Sequence, residues 1–228
     1  MTQTQAAVQA EQQDLDALVN KLKQMPAGRV YAGLGGNWGA DFKVGDVPVY
    51  ALLQSQGFDM LGYLYHALSL NADIQVLFDE HSQEEYNLFN VRYVVAPDSQ
   101  TFPEFVQLVD TIGRFKLYQV ATTGYFDLVG SDSAFFGIKK DFYSAASLWM
   151  SSDLPRVKQH TAIFLEGKAT GYENVFPLSQ AANLIPIASF LLEPSRGHSI
   201  KAMINKVSRP ANIKYSRQGS GRYSYSTW

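Results

Sequence analysis

Apolar residues near the N terminus recur with the spacing of a helix. Between Leu15 and Leu22 they fall at positions i, i+3, i+4 and i+7, which is the stripe of an amphipathic helix. Pro26 and Gly28 then end the pattern. The sequence therefore predicts an N-terminal helix that occupies residues 1–27 and packs through one apolar face.

Short runs of β-branched and aromatic residues predict the strands. The clearest is Val-Arg-Tyr-Val-Val-Ala at residues 91–96, closed by Pro97. Its apolar character predicts a central strand that is buried on both faces. The remaining strands are predicted at residues 29–34, 74–78, 115–121, 125–129, 135–139 and 161–166.

Four further segments have helical spacing or helix-capping residues. Ser82 and Glu85 form a capping box, in which each side chain reaches a free amide of the first turn, and it predicts a short helix up to Phe89. Residues 59–70 are apolar almost all round, which predicts a helix buried against the sheet. The other helices are predicted at residues 101–113 and 142–149.

The order of these elements predicts the fold class. Helices and strands alternate first and strands cluster later, which predicts a mixed α/β (α+β) fold with a central mixed β-sheet flanked by helices. Residues 218–221 add the turn of a C-terminal β-hairpin. We therefore expect an N-terminal helix (1–27), an α/β core domain (28–166) and a basic C-terminal extension (167–228). The extension carries the hairpin and is a candidate for the start of a truncated β-domain; a weaker boundary lies at residues 130–133.

The composition excludes several kinds of chemistry. The 228 residues include no cysteine, which excludes disulfides, thiolate catalysis and cysteine-ligated metals. The four histidines lie too far apart in sequence for a local metal motif, so no metal is predicted. No nucleophile elbow, zinc-protease motif or phosphate-binding loop is present. Carboxylate pairs for glycoside hydrolysis need not be close in sequence, but no pair stands out. We predict no catalytic residue, and whether the chain is an enzyme stays open.

Charge is concentrated at the C-terminal end of the chain. Residues 194–228 hold seven basic and no acidic residues, so this tail carries +7 and the rest of the chain −9. Lys214, Arg217 and Arg222 lie there among tyrosines, a pattern that fits an exposed charged hairpin, anionic lipid headgroups or single-stranded nucleic acid. We predict contact with a membrane surface or another anion through these three cations, and no nucleic-acid partner.

The glycine-rich loop at residues 33–39 superficially resembles a dinucleotide-binding loop. No helix follows it to bind a pyrophosphate, and no acidic residue ends a second strand about 20 residues later, so no cofactor is predicted. Glycines do let a ligand approach the backbone, and Asn37, Trp38 and Asp41 combine an aromatic ring with polar groups suited to a sugar. The alternative is that Trp38 packs into the core as an anchor for the loop.

Three other polar positions have structural interpretations. His66 lies in an apolar segment and is interpreted as a hydrogen-bonded core histidine. Residues 79–81 (Asp-Glu-His) precede the capped helix and are interpreted as a solvated turn. Arg92 lies on an otherwise apolar strand, where its charge requires a partner, most simply a carboxylate on a neighbouring strand.

The stretch Tyr-Asn-Leu-Phe-Asn-Val-Arg-Tyr-Val-Val-Ala at residues 86–96 resembles a signature of large polytopic membrane proteins, the GT-C-type glycosyltransferases and the related bacterial YfhO-like proteins. In these proteins a soluble extracytoplasmic portion follows the membrane helices. Gly-Arg-Val-Tyr at 28–31 and Phe-Gly-Ile-Lys at 136–139, with the helix that contains Trp149, fit the same pattern. The resemblance spans about residues 28–165.

The resemblance implies a function for the intact protein rather than for this chain alone. Such proteins transfer a sugar from a polyprenyl-phosphate donor with acidic residues in membrane-proximal loops, and none of those loops is in this chain. We therefore expect an excised, soluble extracytoplasmic domain at the outer face of the cell membrane that contributes glycan or acceptor contacts and not catalysis. An independent soluble enzyme with a site built from distant residues and a protein-interaction domain are the alternatives.

Overall fold

The computed structural model describes residues 3–62, 74–126, 129, 133–165, 171–172 and 174–185. It has the expected mixed α/β class, with a mixed sheet flanked by helices. The chain divides into two compact units, Met1–Asp127 and Leu128–Trp228. The division between the units falls inside the predicted core domain (28–166), close to the weak boundary at residues 130–133. The limits of the three predicted segments, 1–27, 28–166 and 167–228, stay predictions.

The first unit contains helices and a four-stranded sheet, and its elements in chain order are α1 (Gln3–Gln24), β1 (Arg29–Tyr31), β2 (Lys43–Val44), β3 (Val47–Pro48), α2 (Val49–Ser55), α3 (Gln83–Leu88), β4 (Val91–Ala96), β5 (Gln107–Ile112) and β6 (Phe115–Gln119). The strand order of the sheet is β1-β4-β6-β5. Strands β1 and β4 are parallel, whereas β4–β6 and β6–β5 are antiparallel.

Strand β4 occupies the centre of this unit, as predicted. Five of its six residues are buried. Tyr93 and Val95 pack in the cluster that includes the leucine stripe of α1, whereas Val94 and Ala96 pack in a second cluster with Phe78. Alternate side chains of a strand point to opposite faces, so β4 is covered on both sides and its near-continuous apolar sequence follows from that burial.

The segment between α2 and α3 differs from its prediction. Met60 does not start a helix but forms a parallel bridge with Val30, and residues 63–70 of the predicted helix lie outside the described residues, as does His66. Ile74 and Gln75 have helical backbone instead of the predicted strand. Ile74 and Phe78 are both buried, a four-residue spacing that suits a helical turn as well as a strand.

The predicted helix over residues 101–113 is wrong, because residues 107–112 form strand β5. The segment pairs antiparallel with β6, and Ile112 faces Phe115 across a two-residue turn. Gly113 has φ +54 in that turn, a conformation that favours glycine. Tyr125 and Phe126 are likewise not in a strand.

The second unit contains three strands, β7 (Ser133–Phe136), β8 (Ala162–Phe164) and β9 (Asn174–Pro177). They form a parallel sheet in the order β8-β7-β9. The helix predicted at residues 142–149 is present as α4 (Lys139–Met150), which buries Phe142 and Trp149. The predicted C-terminal hairpin lies outside the described residues. Within the described ranges, none of the helices combines the length and the apolar character needed to cross a membrane.

Candidate functional site

Asn37 organises the glycine-rich loop that follows β1. Its Oδ1 accepts hydrogen bonds from the backbone N–H of Leu34 at 2.7 Å and of Gly39 at 3.1 Å, and it caps the short 3-10 helix Trp38–Ala40. Gly33 has φ +75, and a Cβ there would overlap the backbone of Gly39. The loop therefore has a specific conformation that depends on the side-chain amide of Asn37 and on the glycine at position 33.

Trp38 is held by its ring and by its indole N–H. The ring is half-buried, with edge or tilted contacts to Tyr31, Phe42 and Phe102 at centroid distances of 5.5, 6.1 and 6.2 Å. Nε1 donates a hydrogen bond to Oε2 of Glu80 at 2.8 Å. This packing supports the anchor interpretation of Trp38; the sugar-stacking interpretation stays a prediction.

Glu80 connects this loop to the segment before α3. Its Oε2 also accepts from the Tyr31 hydroxyl at 2.9 Å, and that hydroxyl accepts from Nδ2 of Asn37 at 2.8 Å. Burial raises the pKa of the Tyr31 hydroxyl, the charge of Glu80 adds to the rise, and the bond from Asn37 opposes it. Tyr31 is therefore a neutral donor. We call these four residues the Trp38–Glu80 network: Tyr31, Asn37, Trp38 and Glu80.

Within the described residues, the network uses one of the two carboxylate oxygens of Glu80. Among the described residues only Oε2 has hydrogen-bond partners, although a carboxylate oxygen accepts up to two bonds and the group has two such oxygens. Because two aromatic donors fix Oε2, the orientation of Oε1 is fixed as well. A half-buried, oriented carboxylate next to a tryptophan is a chemically competent acceptor for hydroxyl groups.

A second carboxylate lies five residues further along the chain. Glu85 is 7% exposed, and its Oε2 accepts from the backbone N–H of Asp79 at 2.7 Å. Burial raises its pKa to about 7; the bond from Asp79 opposes the rise, and the charges of Asp79 and Glu84 add to it. Ser82 is the N-cap residue of α3, as predicted, but its side chain makes no capping bond. Glu85 thus binds an amide outside the predicted capping box.

Tyr86 adds a buried polar group to the same segment. Its ring packs edge-on against Phe78 and Phe105, at centroid distances of 5.0 and 5.4 Å. Its hydroxyl is buried and has no hydrogen-bond partner among the described residues. Burial raises its pKa, and the charges of Glu80 and Asp79 add to the rise.

The structure brings some of the predicted site residues together. Asn37 and Trp38 belong to one network, and Asp41 ends the same loop with an exposed side chain and a backbone N–H bonded to the Trp38 carbonyl. Lys214, Arg217 and Arg222 lie outside the described residues. The sequence reasoning missed Glu80, which it placed in a solvated turn. One signal was available: if Trp38 anchors the loop, its indole N–H requires an acceptor, and Glu80 is one of the carboxylates that can supply it.

Arg92 has a different partner from the one expected. Its guanidinium donates to the main-chain carbonyls of Ala27 at 3.1 Å and Thr122 at 3.4 Å, and it makes no ion pair with a carboxylate in the part of the chain that the structure describes. Arg29 makes the ion pair in this region, with Asp59 at 3.3 Å. Main-chain carbonyl groups outside the strands thus satisfy the half-buried cation.

Comparison of the chain with family models, curated proteins and solved structures finds no match. Within the described ranges, no group of three or more histidine, aspartate or glutamate residues is placed to hold a metal ion. The interpretation of the site therefore depends on its own geometry.

Proposed function

We propose that this chain is a soluble extracytoplasmic domain of a GT-C-type or YfhO-like membrane protein, in which it contributes glycan or acceptor contacts and not catalysis. Support comes from two of the three segments that carry the resemblance, residues 28–31 and 86–96, because they meet in one place. Strand β1 pairs parallel with β4, and the Arg29 backbone N–H donates to the Asn90 carbonyl at 2.9 Å. The Arg29 guanidinium donates to the Phe89 carbonyl at 3.0 Å. In this chain the two segments therefore form one structural junction, which supports reading them as parts of a single pattern.

The observation that carries the glycan proposal is the oriented carboxylate of Glu80. Sugar hydroxyls bind carboxylates by charge-assisted hydrogen bonds, and sugar rings pack on aromatic surfaces. The exposed residues Gly35, Gly36 and Asn37 lie in the loop next to Trp38, and Asp41 supplies a second exposed carboxylate. We assign Oε1 of Glu80 and the side chains of Asn37, Trp38 and Asp41 to the glycan contact.

The proposal places the domain at the outer face of the cell membrane as part of a larger protein. The polyprenyl-phosphate sugar would be bound and cleaved by the membrane portion of that protein, and the domain would contact the acceptor. The basic residues Lys214, Arg217 and Arg222 would face anionic headgroups there.

A glycan array followed by titration tests the proposal. The wild-type chain is expected to bind an oligosaccharide, and binding should shift the indole NMR signal of Trp38. Glu80→Gln should weaken binding at least tenfold, Asp41→Asn should weaken it less, and Glu104→Gln, an exposed control, should leave it unchanged. Absence of binding to every glycan tested, or full binding by Glu80→Gln, would contradict the proposal and favour the enzyme or protein-interaction alternatives.

A further inference from the structure

Glu85 is a buried acid that has no cation partner among the described residues. It lies in the first turn of α3, is 7% exposed, and makes no ion pair with any of these residues. Within the same part of the chain, its carboxylate has one hydrogen-bond donor, the backbone N–H of Asp79. A buried carboxylate of this kind is stable when it is protonated and costly when it is ionised.

The bond to Asp79 connects Glu85 to the Trp38–Glu80 network. Asp79 precedes Glu80 directly, so the main-chain segment that positions the Glu80 carboxylate is fixed at one end by Glu85. The residue that Glu85 holds is therefore next in the chain to the acceptor of the Trp38 indole N–H. A change at the Glu85 carboxyl has a direct main-chain connection to the network.

We propose that Glu85 is a proton-operated latch, which holds residues 79–86 against the Trp38–Glu80 network when protonated and loosens them when it ionises. Ionisation strengthens the bond from the Asp79 amide, but it also places a third negative charge beside Asp79 and Glu84 at a buried position, and the burial and repulsion outweigh the bond. Exposure of the side chain relieves both the burial and the repulsion. The inference concerns the loop itself and does not depend on the proposed glycan.

The groups around Glu85 support this direction of the effect. Asp79 and Glu84 both carry negative charge, which disfavours the ionised form. Helix α3 packs against β4, whose Arg92 and Tyr93 direct their polar atoms to main-chain carbonyls elsewhere. The other titratable groups of the segment are Glu80, Tyr86 and His81, whose Nδ1 lies 3.3 Å from Oδ1 of Asp79.

NMR of the whole chain tests the latch. The indole signal of Trp38, assigned with Trp38→Phe, should move between pH 5.5 and 8.5 with a midpoint near 7, together with the carboxyl carbon signal of Glu85. Glu85→Gln should abolish the movement, and Glu84→Gln should lower the midpoint because a negative neighbour is lost. His81→Asn should leave the midpoint unchanged, which would show that the His81 imidazole is not the group that moves the Trp38 signal.

Two results would overturn the latch. One is a Trp38 signal that does not change over this pH range while the Glu85 carboxyl titrates. The other is a Trp38 titration that persists in Glu85→Gln or disappears in His81→Asn. If Glu85→Gln fails to fold, the coincidence of the two titrations in the wild-type protein still decides.

Discussion

Replacement of Glu85 by glutamine should change how stability depends on pH. The folded state raises the pKa of Glu85 from 4.5 to about 7, so this state binds the proton more tightly than the unfolded chain does. The stabilisation is therefore fully present below pH 4.5 and is lost as pH rises through about 7. A shift of this size corresponds to about 3 kcal/mol of unfolding free energy, of which about 2.5 kcal/mol is lost between pH 5 and pH 8.5.

Glutamine keeps the shape and the acceptor for the Asp79 amide but does not ionise. The free energy of unfolding of Glu85→Gln minus that of the wild type should therefore rise by about 2–3 kcal/mol from pH 5 to pH 8.5. Urea titrations that follow the Trp38 indole signal measure this difference in the first unit. Glu104→Gln, an exposed control, should follow the wild-type curve. Parallel pH dependences of Glu85→Gln and the wild type would refute the reasoning.

Three other changes test separate parts of the structure. Gly33→Ala should destabilise the first unit by at least about 2 kcal/mol in urea titrations, since φ is +75 and a Cβ would overlap the Gly39 backbone. The control Gly36→Ala should be nearly neutral in the same assay, because a Cβ at Gly36 would meet open space. Trp38→Ala should cost about 3 kcal/mol if the ring anchors the loop, and a glycan-binding loss with an unchanged melting temperature would instead favour the stacking interpretation. The third change neutralises the tail cations Lys214, Arg217 and Arg222. At about 1 kcal/mol for each cation, it should weaken co-sedimentation with anionic vesicles about 100-fold. Binding that does not depend on lipid charge would contradict the membrane contact.

The elements that were predicted correctly have one dominant signal. Apart from Arg92, residues 91–96 are apolar or aromatic on both faces, which favours a central strand, and β4 has the predicted limits. The α1 stripe and the α4 helix each place several apolar residues on one helical face. In these segments local pattern and tertiary burial require the same structure.

In the segments that were predicted wrongly, the spacing of the apolar residues is compatible with both a helix and a strand. Leu108, Val109 and Ile112 suit a helical face, but Leu108 and Val109 are 52% and 42% exposed in strand β5. The deciding interaction is the pairing of this strand with β6, which depends on a partner strand and a turn rather than on the segment itself. Tertiary pairing thus overrides the local spacing.

The candidate site depends on contacts between residues far apart in sequence. Glu80 accepts from Trp38 and from Tyr31, which lie 42 and 49 positions earlier in the chain. Sequence spacing carries no information about contacts over such distances along the chain. The composition of the loop did identify Asn37 and Trp38 as candidate site residues. The loop was therefore predictable as a feature, whereas its acceptor was not.

Residues 74–78, where local prediction failed, are followed by a segment with costly polar burial. Well-packed apolar residues would stabilise this region at least as well as the buried acid Glu85 and the hydroxyl of Tyr86, which has no hydrogen-bond partner among the described residues. Such departures from good packing are expected where a protein binds or responds to something, because function is the usual reason to keep them. Both groups lie within six residues of Glu80 along the chain. This is why we propose that Glu80 takes part in the ligand contact and that the proton response arises in the same segment, rather than in the better packed β4 and β6.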